Sequence, residues 1–288
     1  MTATAKKSAD EMFAETIISM LKAGTAPWQK EWSTGEAQRS FYNVISNAEY
    51  RGANIVRLFI SSHEKGFEDP RWMTYKQAQD KGWQVRKGEK GTAISFFSPY
   101  KKQFEGEDGE EVVISRFARK TYTVFNAAQV DGVEALPTPK AHEWTPVEAG
   151  EKVLAASKAD IRYDGGNRAY YSPKLDIIHL PERSAFPDEA YFYATALHEL
   201  AHWTGHESRL DRRMEDRFGV MDYAREELRA EIASWMIAVA TGLPHHPENA
   251  AAYVGAWVKN IENDYREIFK ACADAEKIKA YVLGLAAE

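Results

Sequence analysis

Sulfur is scarce in this chain, and long apolar runs are missing. A single cysteine, Cys272, stands among 288 residues. That excludes a disulfide framework or a cysteine-rich metal ribbon and fits a reducing compartment. No stretch reads as a membrane span, and Met1 to Asp10 lack the apolar core of a signal peptide. Residues 11–22 instead set Met12, Phe13, Ile17, Ile18 and Leu21 at helical spacing among Glu11, Glu15 and Lys22, an amphipathic helix. A cytoplasmic protein with no membrane partner is expected. Charge of one sign is also lacking. Residues 1–137 carry 19 Lys/Arg against 18 Asp/Glu, and residues 138–288 carry 18 against 25. Neither half has the strong positive charge usual in nucleic-acid binders. Prolines gather at Pro137, Pro139 and Pro146, so 133–146 reads as a linker between domains 1–132 and 147–288, two being natural at this length.

Histidine is sparse too, with eight in the chain, yet two stand four apart in His198-Glu199-Leu200-Ala201-His202. On a helix, positions i and i+4 share a face, so both imidazoles can reach one metal ion, with Glu199 beside it to take a proton from water. This is the H-E-x-x-H pattern of zinc peptidases. The context is helical: Pro187 and Asp188 give a start signal, Ala194, Leu197, Leu200 and Ala201 are apolar, and Gly205 follows where the helix should stop. Zinc in such a site lowers the pKa of a bound water toward ~7. Glu199 would accept its proton and later deliver it to the leaving amine.

A third ligand is needed. The pattern H-E-x-x-H-x-x-G-x-x-H fails, because Ser208 occupies the last position. His206 follows His202 by four, but Gly205 should break the helix between them. A glutamate on the next helix is the other candidate. Residues 222–241 read as helix, with Leu228, Ile232, Trp235, Met236 and Val239 at helical spacing and Gly242-Leu243-Pro244 at the end. Glu227 and Glu231 share one face of it. The pair resembles that of glutamate-type zincins, where the ligand glutamate is commonly followed four positions later by an acidic or amide residue. The resemblance implies Glu227 as ligand and Glu231 as the partner of a ligand histidine's ring N–H. Tyr223, one turn before Glu227, and His206 are candidate donors to the developing oxyanion. Two histidines and a carboxylate suit zinc, and also admit manganese or cobalt. Residues 175–180 read as a strand ended by Pro181, and analogy with zincins gives it the role of an edge that pairs with extended substrate.

In the first half, Arg71, Lys76, Lys81, Arg86, Lys87, Lys90, Lys101 and Lys102 face only Asp80 and Glu89 between Arg71 and Gln103, interleaved with Trp72, Tyr75, Trp83, Phe96, Phe97 and Tyr100. Cations for phosphates and rings for unpaired bases are what a single-strand groove needs, although sheets carry aromatics for their own cores. Gly82 to Gly91 reads as a basic turn-rich loop. Strands are expected over 92–97 and 116–125, joined through an acidic hairpin loop at Glu105 to Glu111.

Several stretches together resemble the ArdC-type antirestriction proteins, whose N-terminal domain is also found joined to plasmid primases. They are Ala26-Pro27-Trp28, Tyr50 to Asn54, Pro70 to Tyr75 and Gly82 to Gly91, then Tyr171-Ser172-Pro173, Asp176-Ile177-Ile178, His198 to His206, Arg209-Leu210 and Tyr223 to Glu231. The resemblance implies an α+β fold of two domains: an N-terminal α+β domain with a small antiparallel sheet that binds single-stranded DNA, and a C-terminal zincin-like metallopeptidase domain. It implies a protein of a conjugative element that shields incoming DNA from host restriction, with an unknown protein or peptide substrate that could be a restriction component. On that reading the DNA contacts are Trp28, Tyr50, Arg51, Asn54, Trp72, Arg86, Lys87 and Lys90. The alternative is a non-catalytic single-strand binder whose metal domain serves folding or docking.

Overall fold

Ser8 caps the first helix, α1 (Ala9–Lys22): its hydroxyl accepts from the Glu11 N–H at 3.2 Å while the Glu11 carboxylate accepts from the Ser8 N–H at 2.7 Å. The structure, a computed structural model, describes residues 7–29, 40–105, 111–136, 146–212, 220–246 and 251–287. Among these, no helix is long and apolar enough to cross a membrane.

Two compact units form, and they do not follow chain order. One holds Phe41–Tyr50 and Arg57–Leu136; the other holds the described residues of Met1–Ser40, Arg51–Val56 and Pro137–Glu288. The first unit comprises β1 (Tyr42–Asn43), most of α2 (Ala53–Lys65), β2 (Arg71–Thr74), α3 (Tyr75–Asp80), β3 (Gln84–Val85), β4 (Thr92–Glu105), β5 (Glu111–Asn126) and β6 (Val130–Asp131). Its main sheet runs β1-β2-β5-β4, with β1 parallel to β2 and the other pairs antiparallel. The expected hairpin is present and longer than its sequence signals: β4 and β5 pair from Thr92↔Val124 to Glu105↔Glu111, and the turn lies outside the described residues. Pro99 is tolerated within β4 because β4 is the sheet's edge. Met73, Ala78, Val85, Ala127 and Val130 form one buried cluster. Trp72 lies between Phe41 and Phe67, at ring distances of 6.4 and 6.0 Å. Gly91 has to be glycine: a Cβ there would meet the Thr123 side chain at 2.4 Å and the Val124 carbonyl at 2.9 Å.

The second unit packs α4 (Pro146–Ser157), α5 (Glu189–Trp203), α6 (Val220–Thr241), α7 (Ala251–Asn263) and α8 (Glu267–Leu285) with a sheet of β7 (Asp160–Arg162), β8 (Tyr170–Ser172) and β9 (Ile177–His179). Here α6 is the central helix, with Leu228, Ile232, Trp235, Met236 and Ile237 all buried. Helix α1 belongs to this unit. It buries Phe13, Ala14, Ile17 and Leu21, packs against α7, and sets Phe13 5.5 Å from Phe269. The break between Leu136 and Pro137 falls inside the expected linker, but α1 and Arg51–Val56 join the later residues, because an apolar helix face goes where a matching face exists, regardless of chain order. The linker reading also shortens. Asp131 is in β6 and Val133 packs on the first unit's core; Pro146 opens α4, and 137–145 lie outside the described residues.

Order of strands corrects one expectation. Residues 175–180 are not an open edge: β9 is the middle strand, parallel to β7 on one side and antiparallel to β8 on the other. Its backbone groups are already paired, and Ile177, Ile178 and His179 are buried. The edges are β7 and β8.

Candidate metal centre

The site begins with a well-capped helix. The Asp188 carboxylate accepts from the N–H groups of Ala190 and Tyr191, at 2.9 and 3.1 Å, at the position expected of it. From Phe192 to Trp203 α5 is almost wholly buried, so His198 and His202 project into protein rather than solvent. The helix stops at Trp203, and the Gly205 N–H returns to the His202 carbonyl at 2.8 Å.

Helix α6 supplies the third donor. Glu227 Oε2 lies 3.5 Å from His198 Nε2, its Oε1 lies 3.3 Å from His202 Nε2, and the two Nε2 atoms are 3.1 Å apart. Candidate ligand atoms of His198, His202 and Glu227 all fall within 4.8 Å of one another. His206 is not in this group; its ring bonds Ser208 Oγ at 2.8 Å.

Each imidazole has a carboxylate on its far side. Glu231 Oε1 faces His198 Nδ1 at 3.6 Å, beyond hydrogen-bond length. Glu226 Oε1 faces His202 Nδ1 at 3.4 Å. Glu226 was not assigned from sequence, although a Glu-Glu pair on a helix places two carboxylates about 100° apart and so offers two sides of one site. Arg212 grips Glu226 at 2.7 Å. Four carboxylates, Glu199, Glu226, Glu227 and Glu231, are buried around the imidazoles with one guanidinium, an excess of negative charge that a divalent cation offsets. Donor set and charge both fit such an ion.

The groups polarise one another. Burial alone would raise the Glu227 carboxyl, but hydrogen bonds and charge from His198 and His202 overcome it and hold the group well below the usual range. Burial would lower His202, yet its bonds to Glu226 and Glu227 push it up to about 9. Tyr223 is raised by burial and by the nearby Glu227 charge, so its hydroxyl stays protonated, and its ring meets that of Tyr253 at 5.7 Å. Its ring remains half exposed, which suits a donor to something outside. Glu199 is buried on α5 directly after His198. Past the helix, Arg209 bonds the Trp203 carbonyl at 2.7 Å and Asp176 at 3.0 Å, tying the β8–β9 turn to the end of α5.

The expected DNA contacts divide sharply. Trp28, Tyr50 and Trp72 are buried and offer no face to a base, a correction of the sequence reading. Trp28 sits in the helical unit, its carbonyl 3.1 Å from His245 Nε2. Arg86 is engaged by Asp131 and Glu89, both at 3.3 Å, and by the Ala128 carbonyl. Arg51, Lys87 and Lys90 are exposed, and Asn54 is half-buried. Exposed rings occur elsewhere in the sheet unit: Phe96 (47% exposed) and Tyr122 (41%) stand 5.6 Å apart, with the exposed Lys120 directly opposite Phe96. The cue in sequence was the alternation of the two strands, which puts Phe96, Lys120 and Tyr122 on one face.

Comparison with known proteins agrees with this construction. Residues 148–274 match the family model for a zincin-like metallopeptidase. Residues 7–125 match that for the N-terminal domain of the anti-restriction factor ArdC. Two proteins named DNA primase TraC from Escherichia coli are each 46% identical, over 96% and 98% of this chain. The chain spans only 20% and 27% of their lengths. An uncharacterised protein, y4eC, of Sinorhizobium fredii is 37% identical over 93% of this chain and 89% of its own. Crystal structures of the antirestriction protein ArdC from plasmid R388 are 37% identical. The metal-free form superposes with a TM-score of 0.80 over 98% of both chains, and the Mn(II)-bound form with 0.77 over 98% of this chain and 99% of that one. With its fold, its domain order and its full length matched at that identity, the chain belongs to the ArdC family of antirestriction proteins.

Proposed function

We propose that this protein is the antirestriction factor of a conjugative element, active in the bacterial cytoplasm, which binds single-stranded DNA and carries a working zinc-dependent peptidase. The observation that carries the peptidase half is the convergence of His198, His202 and Glu227 with a separate carboxylate behind each imidazole. When bound, a divalent metal supplies a Lewis acid that makes a water acidic near neutral pH. Glu199 takes that water's proton as the oxygen attacks a peptide carbonyl, then hands it to the departing amine. The Tyr223 hydroxyl donates to the developing oxyanion. An extended substrate adds to β8, the edge strand that packs on α5. On the DNA side, Lys87, Lys90 and Lys120 meet phosphates, and Phe96 and Tyr122 stack on bases. The primase activity named for the longer relatives is no part of this reading.

Replacing Glu199 by Ala separates the two halves. The variant is expected to keep its metal and its affinity for single strands while peptide hydrolysis falls ~10²–10⁴-fold. Transferring a plasmid that encodes it into a restricting host then reads the biological step. Full protection by the Glu199→Ala protein would mean that DNA coverage, not proteolysis, protects.

A further inference from the structure

Glu226 and Glu227 are consecutive and both buried; Glu227 meets His198 and His202 while Glu226 meets His202 alone, on its Nδ1 side, yet a peptidase site needs a coordination position left for water. What keeps the second carboxylate from taking it is visible in Arg212. Its Nη2 and Nε hold the Glu226 carboxylate at 2.7 and 3.2 Å, a two-point grip. The guanidinium is itself fixed to the last turn of α5: Nη2 donates to the Ala201 carbonyl and Nη1 to the Thr204 hydroxyl, both at 2.7 Å. Ala201 and Thr204 flank His202, so one cation fixes both the backbone around the histidine and the carboxylate behind it. A cation is also favoured there by the carbonyl end of α5.

We propose that Arg212 is a positioning residue that confines Glu226 to the Nδ1 side of His202 and thereby reserves a coordination position beside Glu227 for water. Without it the buried Glu226 carboxylate loses its cationic partner and keeps only the His202 ring, 3.4 Å away, so a metal ion beside Glu227 becomes its remaining counter-charge. The proposal rests on the metal reading above.

Co(II) titrated into the full-length chain is the probe, since its visible absorption is strong at four ligands and weak at five or six. The wild-type spectrum is expected to be strong. Arg212→Ala should weaken it by adding the Glu226 carboxylate, and Arg212→Ala with Glu226→Ala should restore it. Glu226→Gln, which removes the competing charge and keeps the acceptor, should hold the strong spectrum while Co(II) affinity falls ~10–100-fold. An unchanged spectrum in folded Arg212→Ala, or the same weakened spectrum in the double variant, would overturn the proposal. If Arg212→Ala does not fold, Arg212→Lys, which keeps the charge without the two-point grip, takes its place under the same criteria. No Co(II) uptake by the wild type would overturn the metal reading itself.

Discussion

The α5–α6 pair and the β4–β5 hairpin both carry side chains suited to a function, but they advertise them differently. In the helix pair the chemistry is local. Four residues of spacing set two imidazoles on one face, and one turn of α6 brings Glu227 and Glu231 to meet them. In the sheet unit the useful side chains depend on which face each strand shows and on what covers it, which only the assembled fold decides. A buried, charged centre is therefore readable from spacing, while an exposed binding surface is readable only from burial.

The largest effect should come from breaking the first of these. Glu227→Ala removes a ligand and leaves two buried histidines without it, so metal content near one per chain should fall close to zero. Single-strand binding by the other unit should not change. Normal metal content in that variant, measured by elemental analysis, would remove Glu227 from the site.

A core substitution in the sheet unit comes next. Trp72→Ala should destabilise the fold by ~3–5 kcal/mol, because the ring is fully buried between Phe41 and Phe67. Phe96→Ala and Tyr122→Ala remove exposed rings and should leave the melting temperature nearly unchanged while weakening single-strand binding by ~1–3 kcal/mol per stacked base. The reverse pattern, with Trp72 governing affinity at constant stability, would return Trp72 to the DNA surface and dissolve the distinction between the two kinds of ring.

That distinction also marks what the sequence could reveal. Helices α1, α5 and α6 appear in the apolar spacing and caps because a helix's pattern repeats within a few residues, and Asp188 and Gly242 (φ 72°) sit where those signals put their ends. The three residues that could hold a metal, His198, His202 and Glu227, came from the same periodicity with a family resemblance added. Three things were not legible. The partnership of α1 with α7 and α8 joins segments more than two hundred residues apart. The central place of β9 is a property of strand order, which alternation does not encode. Arg212 lies outside α6 and 14 residues before Glu226, so no helical offset signals its grip. Tryptophans next to basic residues misled for a physical reason: large rings serve a core as readily as a base, and net burial favours the core.

The smallest effect tests whether the basic loop touches phosphate at all. Lys87 and Lys90 are exposed, whereas Arg86 beside them is paired with Asp131 and Glu89. Free ammonium groups that neutralise phosphates release counterions, so Lys87→Ala and Lys90→Ala should each lower the slope of log affinity against log salt by ~0.7 on single strands. Arg86→Ala should change that slope less, since its charge is already met within the protein, and should instead loosen the turn that holds β3 to β6. Equal slopes for all three variants would show that pairing within the loop does not decide which cations meet DNA. A lysine effect of the same size on duplex would show that the loop senses phosphate density rather than an unpaired strand, leaving Phe96 and Tyr122 as the part of this surface that distinguishes single strands.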